Sequence, residues 1–192
     1  FSFCSNLLEI PKFNLSSTTN TNQMFVSCAS IEYIEPWDLD NEAPSVTSVN
    51  NMFNNCSNLQ NVPFTSASNV TNFSSTFANT KIKSFSLPVP SAGAVTSMFS
   101  GCRYLVEVTS QFPSGITNTL NMFFRCTSLT TLQPFDTTSV SVTQSMFRET
   151  FMLKDLSSFN FSGATNMSYM FYYSHIEKLP QYLGGGNMSY MF

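Results

Sequence analysis

The chain has 192 residues, of which 42% are hydrophobic, enough to bury a core, but only 10% are charged. The net charge of −3 at pH 7 and the few Lys and Arg argue against nucleic-acid binding, which needs clustered bases to neutralise phosphates. No apolar run approaches the roughly 18 residues that a transmembrane helix requires. The abundance of uncharged Ser, Thr and Asn is typical of an extracellular or cell-surface protein.

The dipeptide Met-Phe recurs along the chain at a nearly constant interval. With Phe1 and Thr76-Phe77 filling two gaps, Phe stands at positions 1, 25, 53, 77, 99, 123, 147, 171 and 192. The commonest step is 24 residues, and the longest, from Phe25 to Phe53, is 28. Such a period indicates a repeat architecture, in which each unit buries its apolar side only against its neighbours.

The predicted elements follow the same order in every repeat. A small residue comes three positions after the Phe, and two apolar residues three apart follow it, such as Leu129 and Leu132. The segment around that pair, for example residues 128–133, predicts a short strand of a parallel ladder. Before the next Met-Phe, for example over residues 165–171, apolar spacings of three and four predict a short helical piece. The usual hand of parallel crossovers predicts a right-handed stack.

The run from Asn121 to Phe147, NMFFRCTSLTTLQPFDTTSVSVTQSMF, resembles the BspA-like leucine-rich repeats, as does FNFSGATNMSYMF over residues 159–171. The resemblance includes the variety of about 25 residues that is common in mycoplasma surface lipoproteins. It implies a leucine-rich-repeat solenoid over residues 1–192, a single segment of about eight coils that we expect to be part of a longer array. It also implies a surface protein that adheres to host proteins or to other cells.

The five cysteines all occupy the small position three residues after the Phe, where other repeats have Thr or Ser. We therefore expect a structural ladder of reduced, buried cysteines made of Cys4, Cys28, Cys56, Cys102 and Cys126. Neighbouring strands about 4.8 Å apart hold Cβ atoms too far apart for the roughly 3.8 Å of a relaxed disulfide. With no CxxC pair and one His, His175, the sequence predicts no zinc site, no cofactor and no enzymatic activity.

The longest repeat carries a run of acids: Glu32, Glu35, Asp38, Asp40 and Glu42. No Lys or Arg occurs between Phe13 and Thr80, and Trp37 lies within the acidic run. Because binding residues concentrate in loops, this insertion is a candidate partner site. Two alternatives are a calcium site at Asp38, Asp40 and Glu42, and a solvated acidic bulge.

The strand face is the predicted recognition surface. Side chains alternate along a strand, so the neighbours of the inward second apolar residue point outward. The candidate partner-binding residues on or near this face are Tyr33, Glu35, Trp37, Glu107, Thr131, Gln133 and Asp155. The ligand predicted for them is a protein or a surface glycan, and self-association along or between arrays is possible.

Two functions fit these observations. The first is a non-enzymatic surface scaffold for adhesion or protein–protein recognition, which uses the broad faces that stacked repeats offer. The second is a structural building block of an extracellular filament or appendage, including a phage or cell-surface fibre, with no soluble ligand. The resemblance favours the first of these only by analogy between folds.

Overall fold

The structure, a computed structural model that describes residues 1–192, is a repeat fold with very short strands and little helix. We number the repeats by their Phe, so that repeat 1 begins at Phe1 and repeat 8 at Phe171, and count positions from that residue. The strands are β1 (Trp37–Asp38), β2 (Phe64–Ser66), β3 (Ser84–Phe85), β4 (Glu107–Val108), β5 (Thr131–Leu132), β6 (Asn160–Phe161) and β7 (Tyr182–Leu183). No helix is long and apolar enough to cross a membrane.

The strands pair in parallel and in sequential order, as the repeat pattern predicts. They form three small open sheets, β1-β2, β3-β4-β5 and β6-β7. The sheet β3-β4-β5 contains the second apolar residue of its three repeats, namely Phe85, Val108 and Leu132, which confirms the predicted strand position there. In the other sheets the strands fall further along the repeat, at or beside a third apolar residue, which is Trp37, Phe64, Phe159 or Tyr182.

The predicted helical piece in each repeat is wrong. Over residues 168–173 the backbone forms successive turns, and the one α-helix of the chain, α1 (Leu39–Glu42), lies in the long repeat 2. From repeat 2 to repeat 8, position −2 and position +2 both have a positive φ; in repeat 8 these are Tyr169, at 58°, and Tyr173, at 54°. A residue in the left-handed region interrupts a right-handed helix, so two of them within five residues exclude one.

This turn segment, from position −2 to position +2, joins each repeat to the next. Backbone amides of alternate residues donate to the following repeat, as Phe99 does to the carbonyl of Met122 at 3.0 Å. The residues between them close turns within their own repeat, as Met98 does with Val95 at 3.1 Å. Together these bonds pair the buried backbone N–H and C=O groups of the turn segment, which in other folds are paired within strands or helices.

The Phe side chains of all repeats form one continuous stack, which is buried from Phe25 to Phe171 and exposed at its two end rings. Ring centroids of neighbours from Phe1 to Phe192 lie 5.6 to 6.2 Å apart. The six inner pairs, from Phe25 to Phe171, have interplanar angles of only 8° to 10°. We call this stack the phenylalanine ladder.

The cysteines at position +3 line the same interior. Cys28, Cys56, Cys102 and Cys126 are buried, and each thiol donates to the Phe carbonyl of a preceding repeat at 2.9 to 3.1 Å. Desolvation raises the pKa of Cys56 to about 12 and that of Cys102 to about 11. All five cysteines are free, but Cys4 is exposed, so the prediction of a buried thiol is wrong for that residue.

The Asn-rich composition has a structural role in the turns that precede the phenylalanine ladder. At position −5, the side-chain oxygens of Asn72, Asn118, Asn166 and Asn187 each accept the backbone N–H two residues later, at 2.9 to 3.2 Å. Such Asx turns replace a backbone partner with a short side chain. The abundance of Asn therefore follows from the fold, whatever the location of the protein.

We predict that replacing one inner ring of the phenylalanine ladder destabilises the whole stack. Phe99→Ala removes a fully buried side chain and two stacking contacts, and should lower the free energy of unfolding by about 3–5 kcal/mol. Urea unfolding followed by circular dichroism measures this change. Tyr104→Ala, at a side chain that is 54% exposed, is the control and should change stability by no more than about 0.5 kcal/mol. Equal effects of the two substitutions would contradict the role of the ladder.

Candidate functional site

Six of the seven predicted partner-binding residues are exposed on the surface. They are Tyr33, Glu35, Glu107, Thr131, Gln133 and Asp155. Glu107 and Thr131 are direct neighbours across β4 and β5, while Tyr33 and Glu35 lie in repeat 2 and Asp155 in repeat 7. The structure thus gives one long face and not one compact site.

Trp37 is not part of this surface, and its prediction as a binding residue is wrong. Its side chain is fully buried and stacks on Phe25, with centroids 6.3 Å apart and an interplanar angle of 12°. Trp37 was predicted to bind a partner because it lies within the acidic run of the longest repeat, near Tyr33. In the structure β1 pairs with β2 at Trp37 and Phe64, and the extra residues form α1 immediately afterwards.

The exposed end of the strand face in repeats 1 and 2 is concave. We call it the acidic groove, a depression of about 510 Å³ lined by Leu8, Glu9, Ile10, Ser30, Glu32, Tyr33 and Glu35. Leu8 is 70% exposed and Tyr33 is 63% exposed. None of the ion pairs in the structure involves Glu9, Glu32 or Glu35. Apolar surface and three unpaired carboxylates therefore face solvent together.

The remaining acids of repeat 2 hold the insertion in place. Asp38 caps α1, accepts from the Asn41 side chain at 2.7 Å, and also accepts from the Ser66 hydroxyl. Glu42 accepts from the backbone N–H of Asp38 at 2.8 Å and pairs with Lys12 at 2.7 Å. Because these carboxylates bind protein donors, the structure gives no support to a calcium site there, and no group of three metal-ligating side chains is found in residues 1–192.

These contacts shift the pKa values of two carboxyl groups. The Ser66 hydroxyl bond, with that of Asn41, lowers the pKa of Asp38 below its ordinary value. The bond from Lys12, with the Asp38 amide, lowers the pKa of Glu42. A carboxyl whose pKa is lower in the folded than in the unfolded chain stabilises the fold above its unfolded pKa, and this stabilisation disappears as the pH falls through the folded pKa.

We predict that the melting temperature falls as the pH drops below about 4, near the unfolded pKa of Asp and Glu. Asp38→Asn keeps an oxygen acceptor for the helix cap but does not titrate, so its melting temperature should fall less steeply with pH. Thermal denaturation between neutral and strongly acidic buffers measures both curves. Glu107→Gln, on an exposed strand position, is the matched control and should follow the unaltered protein. Parallel curves for Asp38→Asn and the unaltered protein would contradict this assignment.

In repeats 7 and 8 the charges of the strand face are balanced by ion pairs within that face. Lys178 contacts Asp155 at 2.8 Å, and Lys154 contacts Glu177 at 3.2 Å. Bonds from Lys178 and Ser157 hold the pKa of Asp155 well below its usual range. Asp155 therefore already has an ion-pair partner within the chain, whereas the carboxylates of the acidic groove have none.

The structure also shows a second concave surface that sequence reasoning missed. A pocket of about 500 Å³ lies on the turn segments of repeats 6 to 8 and is lined by Arg125, Arg148, Glu149, Phe151, Tyr173, Ser174 and His175. We call it the arginine–tyrosine pocket. A comparison of position +2 between repeats would have indicated it, because from repeat 2 onward this position changes from Ser27, Asn55, Asn79 and Gly101 to Arg125, Glu149 and Tyr173.

Comparisons with known proteins identify a family. The family described as "Mycoplasma protein of unknown function, DUF285" matches residues 1–112 and, a second time, residues 93–192. The chain therefore belongs to this family. No curated protein matches the sequence.

Among solved structures, the chain is similar to a leucine-rich repeat protein from Bacteroides ovatus ATCC 8483. The two are 15% identical, with a TM-score of 0.34. The similarity covers 76% of this chain and 50% of that protein, so the chain spans about half the length of this relative.

Proposed function

We propose that this member of the DUF285 family is a non-enzymatic recognition scaffold of the cell surface, and that the acidic groove binds a basic segment of a partner protein. The observation that carries the proposal is the exposure of apolar side chains beside unpaired carboxylates in one depression. We further propose that the stack of repeats is a right-handed solenoid of the leucine-rich-repeat type. Its sequential parallel strands support this proposal.

Charge gives the groove a preference for cations. Residues 1–80 contain six acids and a single base, whereas residues 81–192 contain five acids and seven bases. That single base, Lys12, bonds to Glu42 outside the groove lining. Glu9, Glu32 and Glu35 therefore produce a negative potential that attracts Lys or Arg side chains of a partner.

The apolar residues of the groove supply contact area. Leu8 and Tyr33 are among the most exposed large hydrophobic side chains of the chain. Tyr is enriched at binding hot spots because it offers a large rigid surface and a polar tip. A partner segment that combines basic and apolar side chains matches this mixture.

The backbone beneath the groove is fixed before binding. The Gln60 amide bonds to the carbonyl of Glu32 at 2.9 Å, and the Asn61 side chain bonds both backbone groups of Ile34, at 3.1 and 2.8 Å. The Asn61 side chain thus supports the backbone next to Tyr33. A groove that does not reorganise on binding loses less conformational entropy.

We predict that a short peptide of alternating Arg and Leu binds the chain, while the same peptide with Glu in place of Arg does not. Fluorescence anisotropy of labelled peptides measures the affinity, which should weaken as salt is added. The variant Glu9→Gln/Glu32→Gln/Glu35→Gln should weaken binding about tenfold or more, since it removes every carboxylate of the groove. Tyr33→Ala, made alone in the unaltered chain, should also weaken the peptide affinity, because it removes apolar contact area.

The matched control removes two exposed acids elsewhere. Glu107→Gln/Glu177→Gln should leave the peptide affinity unchanged, because neither residue lines the groove. Equal binding of the acidic peptide, or an unchanged affinity in the triple variant with an intact fold, would overturn the proposed site.

A further inference from the structure

We propose that the arginine–tyrosine pocket binds an acidic pyranose, that is, a sugar ring that carries a carboxylate. This site lies on the turn segments of repeats 6 to 8 and is built from other residues than the acidic groove. The proposal therefore stands or falls independently of the peptide site.

The pocket arises where three repeats place functional side chains in register. Arg125, Glu149 and Tyr173 occupy position +2 of repeats 6, 7 and 8, and the ladder of backbone bonds holds them side by side. The amide of Arg125 bonds to the carbonyl of Arg148 at 3.0 Å, and that of Glu149 to Tyr172 at 3.0 Å. The same spacing that stacks the phenylalanine ladder inside thus aligns these side chains outside.

Two guanidinium groups of the pocket have N–H donors that make no hydrogen bond within the chain. Arg125 bonds to Glu149 through Nε alone, at 2.8 Å, and its side chain is 45% exposed. Arg148 lies against the rings of Phe124, Tyr169 and Tyr172, at 5.2 to 5.4 Å from their centroids. Its buried Nε lies 3.4 Å from a Glu149 carboxylate oxygen, an ion pair without hydrogen-bond geometry. Cation–π contacts and this ion pair fix the guanidinium, and its terminal N–H groups make no hydrogen bond within the chain.

The tyrosine of the pocket occupies an unfavourable backbone conformation. Tyr173 has a φ of 54°, in the left-handed region that bulky residues rarely adopt. In repeats 3 and 4 the same position holds Asn55 and Asn79, which tolerate this conformation better. Folding alone does not favour Tyr here, and its 66% exposed side chain contributes little to the core. A positive φ at this position is common to the repeats, so what distinguishes repeat 8 is an exposed aromatic ring beside two arginines.

The chemistry of the lining matches a sugar acid. The faces of Tyr173 and Phe151 can cover the apolar C–H face of a pyranose, and Phe151 is itself 5.5 Å from the ring of His175. Glu149 and Ser174 can bond the sugar hydroxyls. Arg125 and Arg148 present the planar donors that pair best with a carboxylate. The volume of about 500 Å³ lies within the usual range for small-ligand sites.

The test uses hyaluronan tetrasaccharide, in which glucuronic acid alternates with an N-acetylated sugar, and the same tetrasaccharide after reduction of its carboxylates to alcohols. Titration calorimetry should show saturable binding of the acidic form and binding of the reduced form that is about tenfold weaker or more. The absence of saturable binding, or equal binding of the two forms, would overturn the proposal.

Two variants distinguish a binding role from a structural one. Tyr173→Asn adopts the residue of repeats 3 and 4, so it should keep or raise the melting temperature while binding falls about tenfold or more. Arg125→Gln should remove the preference for the acidic over the reduced form. Tyr190→Asn relieves an equivalent conformation outside the pocket, at a φ of 53°, and should leave binding unchanged. Unchanged affinity in Tyr173→Asn, or an equal loss in Tyr190→Asn, would contradict the assignment.

Discussion

The stacking of one phenylalanine per repeat is the interaction on which the rest of the structure depends. Neighbouring rings from Phe25 to Phe171 are nearly parallel, and the backbone of each such residue bonds to the next repeat. Because the rings must stay in register, every other position of the turn segment is also held in register. The outward residues at equivalent positions of successive repeats form rows, which we call the outer rows. One constraint thus sets both the core and these rows: packing dictates the inward residues, and the outward residues are free to vary.

The period and the core of the fold could be predicted from the sequence, because burial imposes the same residue types on every repeat. The backbone of the turn segment could not be predicted, since the spacing of Met167, Met170 and Phe171 suits a helix and this turn segment equally. The distinguishing signal was the residue type at positions −2 and +2, where Asn51, Asn55 and Asn79 tolerate a positive φ. Hydrophobic periodicity does not contain that information.

The binding surfaces were less accessible to sequence reasoning. Tyr33 and Glu35 were found by the alternation of side chains along a strand. Trp37 was misplaced because it precedes the extra residues and occupies the buried position that Phe135 and Phe159 hold in their repeats, where it packs against Phe25. The arginine–tyrosine pocket escaped attention because its residues are 24 positions apart and become neighbours only through stacking. Opposite charge at the two ends of one rigid stack would let a single chain engage two chemically different ligands.

We propose that the inward side chains hold the stack together and that the outer rows serve recognition. Exchanging the outer rows and measuring thermal stability tests this division most directly. A variant in which positions +1 and +2 of repeats 6 to 8 take the residues of repeat 3, Asn54 and Asn55, keeps every inward side chain. We predict that it unfolds cooperatively and loses less stability than Phe123→Ala alone, whose ring is fully buried. Loss of the cooperative transition in the exchanged variant would show that the outer rows hold the stack, and would contradict this account.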